Sequence, residues 1–247
     1  MGVRKNQACL TKEEKTAFVD AIQMLKSNGG YEPFIEVHRI HFSHPIHQSA
    51  MFLPWHRQFT RRFELELQKI NPNVSIPYWD WTVDNSITSS IWSPTFMGAF
   101  AGLGRQLGVH AFLPNKNQVK DAIDITPYDE APWRHVTNGF RSALEEIHNA
   151  PHNWVGGVMA GAGSPEDPIF WLHHSNIDRL WAIWQEKHPS FSYVPLSGTP
   201  GADGIGLDDP MHEFKIGETN TITPKDVLDH KSLGYEYDNY TLNPTVC

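Results

Sequence analysis

The sequence predicts a mainly α chain. Four principal helices are available to build a bundle, joined by long irregular loops with little β structure. Three observations carry this. Thr11 followed by Glu14 forms a capping box ahead of an apolar-periodic run. His56, Phe59, Phe63 and Leu67 recur at helical spacing and mark one buried stripe. Asp167-Pro168 sets an N-cap and a first-turn proline before a long run with Phe170, His174, Ile177 and Trp181 on one face.

Taken in order, the first helix carries Phe18, Ile22 and Leu25 inward and stops at Asn28-Gly29-Gly30. A second helix is expected over 31–42, broken before Pro45. Pro54 suits the first turn of the third, which Asn71-Pro72 ends. The stretch 82–137 is rich in Gly, Pro and Ser and reads as an irregular excursion with short helical pieces at best. A fourth helix runs from about Asn138 to Ile147. Pro151 is expected to interrupt it, with a new short piece starting near Asn149 and ending at Gly156-Gly157. The helix after Pro168 reaches about Lys187. Residues 190–210 have loop composition, and GYEYDNY suits an extended segment. There is neither an internal repeat nor an interdomain linker, so one domain over 1–247 is expected.

Composition narrows the function. The chain has 247 residues and a net charge of −8, with no Lys/Arg cluster. That argues against nucleic acid and against an anionic membrane surface as partners. No apolar run is long enough to span a bilayer. The start, MGVRKNQACL, lacks a signal-peptide core, which leaves a chain that is not exported by that route or is already processed. Cys9 and Cys247 make no disulfide framework and no thiolate metal site. Free thiols are expected, a bridge between them being the alternative.

Fourteen histidines stand out, and His is the commonest side-chain metal ligand. They fall in three groups: His38, His41, His44, His47 and His56; His148 and His152; His173 and His174. His148 and His152 are four apart on one helix face and can grip one ion. With one of the 173/174 pair they make three ligands; His47, His56 and one of 38/41/44 make three more. Two ions held by neutral imidazoles leave open positions for a small molecule. All-nitrogen ligation suits copper, with zinc second. His174 lies on the periodic face of its helix and His173 is rotated about 100° away, which assigns His174 as the ligand and His173 to a supporting role. Spacing leaves His38 and His41 about even.

These residues carry a resemblance. HQSAMFLPWHRQFTRRFE and DPIFWLHHSNIDRLW resemble the two copper signatures of the tyrosinase family of type-3 dicopper proteins, and HNAPHNWVGG looks like its paired-histidine segment. The match runs from about Arg4 to Tyr237 and is most similar to the compact bacterial members. The resemblance implies a four-helix bundle holding two copper ions, with O2 as co-substrate. It implies His38, His47 and His56 on the first copper, His38 being favoured because FIEVH matches the segment ending in the family's first ligand. It implies His148, His152 and His174 on the second. His41 stays open, because only eight residues separate His38 from His47. With no cysteine between residues 10 and 246, the thioether some relatives form is not expected, nor is a covering domain after Tyr237. Tyr235 and Tyr237 resemble the motif that closes the catalytic domain against an arginine, here Arg4.

The activity so implied is ortho-hydroxylation of monophenols and oxidation of catechols to o-quinones. Glu145, or its neighbour Glu146, and Asn149 match the residues that hold a proton-accepting water. Phe170 is expected against the metal pair. Asp178 is expected either to orient an imidazole or to brace Arg57 or Arg61. Asn153, Gly161 and Ala162 are candidates for the entrance; Trp55, Trp79 and Trp81 are expected in the core. A copper-delivery protein is a further possible partner; the oligomeric state is open. The competing readings are a catechol oxidase, an o-aminophenol oxidase, an oxygen carrier and a dizinc hydrolase.

Overall fold

The computed structural model describes residues 1–43, 46–134, 136–196 and 205–247. His44, Pro45 and part of the 190–210 loop therefore lie outside the described residues. Six α-helices follow in order: α1 Lys12–Ser27, α2 Glu32–His41, α3 Phe52–Ile70, α4 Lys116–Ile123, α5 Phe140–Val155 and α6 Ile169–Lys187. Two three-residue strands, β1 Gly2–Arg4 and β2 Tyr235–Tyr237, pair in parallel. The chain is mainly helical, as the patterning requires.

The start signals act as expected. Thr11 and Glu14 cap α1 reciprocally, and Asp167 Oδ1 accepts the Ile169 amide at 3.0 Å at the start of α6. α3 buries His56, Phe59, Phe63 and Leu67. It packs along α6, with α5 against both. Phe63 stacks on Trp171 of α6 at 3.7 Å between ring centroids, with 2° between planes. α2 reaches the same aromatic layer through Phe34, edge-on to Phe63 and Trp171.

Two expectations are corrected. The fourth helix is not interrupted: α5 is continuous from Phe140 to Val155 with Pro151 inside it. Proline removes one backbone hydrogen bond there, and burial of its ring against the core offsets that loss. Keeping the helix unbroken is what holds His148 and His152 on one face. The cysteines are not free thiols: Cys9 and Cys247 form a disulfide, with Cα atoms 5.0 Å apart. Their separation of 238 residues hid this, because the proximity comes from the tail folding back on the first turn.

The long excursion holds 3-10 turns and the two-turn α4, whose Asn115/Gln118 capping box is legible in NKNQ. A close approach fixes Gly157 after α5: a Cβ there would fall 2.2 Å from the Leu103 carbonyl, and its φ is +58°. No helix among the described residues is long and apolar enough to cross a membrane.

Candidate metal centre

Six histidines arrive from four helices and one connection. α2 supplies His38, the α2–α3 connection His47, and α3 His56; α5 supplies His148 and His152, and α6 His174. The first three have ring centroids 5.3, 5.9 and 4.9 Å apart (His38–His47, His38–His56, His47–His56). In the second three the Nε2 atoms converge: His148 to His152 at 2.9 Å, His148 to His174 at 3.3 Å, His152 to His174 at 3.4 Å. The triads abut, His56 stacking on His174 at 4.4 Å with 13° between planes.

The hydrogen bonds set the tautomers. Nδ1–H of His38 donates to the Ala162 carbonyl at 2.9 Å, that of His47 to Phe42 at 3.2 Å, that of His56 to Phe52 at 2.8 Å and that of His152 to Met159 at 2.8 Å. Each of these rings therefore presents a bare Nε2 lone pair. The buried Nε2 atoms of His38 and His56 find no hydrogen-bond partner among the described residues. His148 and His174 lack a carbonyl brace among the described residues; packing orients them, with the Phe170 ring 4.1 Å from that of His174.

Burial first, and mutual repulsion second, hold these imidazoles neutral. His38, His56, His148 and His174 are driven well below the ordinary histidine value. His47 falls to about 3 and His152 to about 4, again mainly through burial. Neutral, deprotonated nitrogens are the form a metal requires. Three neutral rings also cannot turn all three Nε2 contacts of the second triad into hydrogen bonds, whereas a cation among them satisfies all three. Ligand bonds of about 2.0 Å at tetrahedral angles hold nitrogens about 3.3 Å apart, close to the spacing found. The donor set thus fits two metal ions, and its all-nitrogen character fits copper.

His173 stands within the second histidine cluster, yet both its nitrogens are engaged. Nδ1 accepts from the Trp81 indole at 3.2 Å and Nε2–H donates to the His148 carbonyl at 3.2 Å. It supports the backbone of His148 and has no lone pair left over. Trp81 is buried, as expected, but it also fixes that tautomer. His41 points away from the first triad, with Nε2 3.6 Å from Glu213.

Phe170 is buried between the triads, its ring 5.2 Å from His38 and 6.0 Å from His152. Asp178 does not orient an imidazole of either triad. It pairs with Arg57, as the bracing alternative has it, but not with Arg61; Arg4 lies at 3.3 Å, and Tyr235 and Tyr237 donate to it at 2.6 and 2.5 Å. Arg4 also stacks over Tyr235 at 3.5 Å, placing the tyrosine pair against the arginine. Arg61 pairs with Glu64 instead.

His47 of the first triad and His148 and His152 of the second border a cavity of about 580 Å³, also lined by Glu145, Asn149, Asn153, Phe42, Val136 and Gly161. Ala162 is not a lining residue; its carbonyl holds His38. Glu145 accepts the Gln48 amide at 2.5 Å and the Arg141 guanidinium at 2.8 Å. Burial pushes its carboxyl up to about 7, against the pull of Arg141. Gln48, next to His47, has φ +52°, a left-handed backbone that non-glycine residues rarely adopt. Glu145 thus pins the strained turn that presents His47, a role no spacing in the sequence signals.

The comparisons agree with this geometry. A model of the common central domain of tyrosinase matches residues 28–110 and 109–187. The chain is 40% identical to a tyrosinase of Streptomyces antibioticus, over 96% of this chain and all of that one. It is 34% identical to a grixazone synthase of Streptomyces griseus, over 96% of this chain and 99% of that one. Among solved structures, an octopus hemocyanin functional unit superposes with TM-score 0.72 at 25% identity, covering 97% of this chain and 69% of that one. On this match of motif, length and fold, the chain belongs to the tyrosinase family of copper-binding oxidoreductases.

Proposed function

We propose that this oxidase works as one dicopper catalytic domain that hydroxylates monophenols at the ortho position and oxidises catechols to o-quinones. The observation that carries it is a single cavity lined by His47 of the first triad, His148 and His152 of the second, Glu145 and Asn149. His38, His47 and His56 would hold one copper, and His148, His152 and His174 the other. A bound copper pair supplies dioxygen activation and accepts the electrons of the phenol.

The chain's own groups do the rest. Phe170, packed against both triads, keeps water from the floor of the site. A phenol has an ordinary pKa near 10 and needs a base. Glu145 sits at the cavity with a pKa of about 7, close to the working pH of a general base. A water between its carboxyl and the Asn149 side chain would relay the phenol proton. Phe42 and Val136 offer the ring apolar surface within the cavity.

The test is to load the purified protein with copper and supply a monophenol and a catechol separately under oxygen. Quinone from both is expected. Quinone from the catechol alone would reduce the activity to that of a catechol oxidase. Reversible oxygen binding without turnover of either would make it a carrier.

A further inference from the structure

α5 shows the cavity two adjacent stripes. Arg141, Glu145, His148 and His152 form the inner one, at helical spacing. Ser142, Glu146, Asn149 and Asn153 form the outer one, on the same cavity. In the outer stripe Glu146 is the sole charge. It is exposed and makes no ion pair among the described residues, whereas Glu145 beside it is buried and held by Arg141. Arg141 is the only cation among the described lining residues, and its guanidinium is spent on Asp129 and Glu145 at 2.9 and 2.8 Å. Phe42 and Val136 also line the cavity and are exposed and apolar.

A phenol whose hydroxyl reaches the histidines leaves its tail in the cavity that Glu146, Phe42 and Val136 line. We infer that Glu146 selects phenols by the charge of that tail, favouring a protonated amine and disfavouring a carboxylate. This rests on the phenol-oxidase reading above. The copper charges at the floor act on every substrate in every variant, so a comparison between variants isolates the rim.

The experiment uses three catechols differing only in the para tail: methyl, 2-aminoethyl and 2-carboxyethyl. The ratio of carboxylate KM to amine KM is measured for the copper-loaded wild type, Glu146→Gln and Glu146→Asp, with the methyl compound as reference in each. One charge at a solvated rim changes KM on the order of three- to tenfold. The ratio is expected to fall by at least that factor in Glu146→Gln, to persist in Glu146→Asp, and to shrink in the wild type at 0.5 M salt, where screening extends only about 4 Å. The same ratio is read as Kd by calorimetry on metal-free protein with the matching monophenols. An unchanged ratio in Glu146→Gln overturns the inference even if the methylcatechol is turned over. Failure to oxidise the methylcatechol overturns the oxidase reading, while the Kd ratio still decides the role of Glu146.

Discussion

His174 and Asp178 lie one turn apart on α6, yet they belong to opposite kinds of buried polar cluster. Around Asp178, Arg4, Arg57, Tyr235 and Tyr237 meet a carboxylate whose oxygens are saturated with donors. Around His174 gather five more neutral imidazoles; four of the six rings present a bare Nε2, and the buried Nε2 atoms of His38 and His56 find nothing to bond among the described residues. A buried polar group without a partner is costly to keep. The first cluster ties the N- and C-terminal strands to the bundle. The second is complete only when something cationic enters it.

The largest effect expected of a single substitution breaks the first cluster. Asp178→Ala leaves Arg4 and Arg57 buried with fewer countercharges, and breaking such a group costs about 3–5 kcal/mol. Urea unfolding of the metal-free protein should show this loss. If Asp178→Ala unfolded no more easily than wild type, the cluster would not be what holds the strands.

The second cluster should respond to metal. Copper at a thousandfold excess over Kd stabilises by about 4 kcal/mol per site. Thermal unfolding with copper and with chelator should differ accordingly. Elemental analysis should give two equivalents for wild type, one for His174→Ala, and two for His41→Ala, whose imidazole faces Glu213.

Acid separates the clusters. The imidazoles have folded pKa values below their unfolded value of about 6.5, so the native state binds fewer protons than the unfolded chain. Their stabilisation is full above pH 6.5 and is lost as pH falls through the folded values. For His152, at about 4, the difference amounts to about 3 kcal/mol. Asp178 is held below the ordinary aspartate value: burial opposes this, but Arg57 and Arg4 prevail. Its contribution is therefore lost only at lower pH. Denaturation of metal-free protein between pH 4 and 6.5 should report the histidine cluster together with His230, also lowered to about 4, and with Glu145, which is raised to about 7 and titrates there with the opposite sign.

The smallest effect concerns the edge of the site. Glu145→Gln keeps an acceptor for the Gln48 amide but removes the base. Monophenol turnover should fall on the order of a hundredfold and catechol turnover much less. Equal loss of both would remove the proton-accepting role and leave Glu145 as the clamp on the His47 turn.

Several of these features were legible in the residues. The capping pair at Thr11/Glu14 and the apolar stripe of α3 are local, so their physics is complete within a few residues. The continuity of α5 through Pro151 was not legible, because propensity opposes it and core burial overrides it.

The sequence by itself determined α1, α3 and α6 and the histidine groups, since periodicity and ligand chemistry act along the chain. Tertiary structure alone decided which of His38 and His41 turns inward, that Cys9 meets Cys247, that Asp178 serves the arginines rather than an imidazole, and that Glu145 clamps Gln48. Each of those outcomes depends on what lies across space from the residue, where distance and burial rather than spacing set the energy.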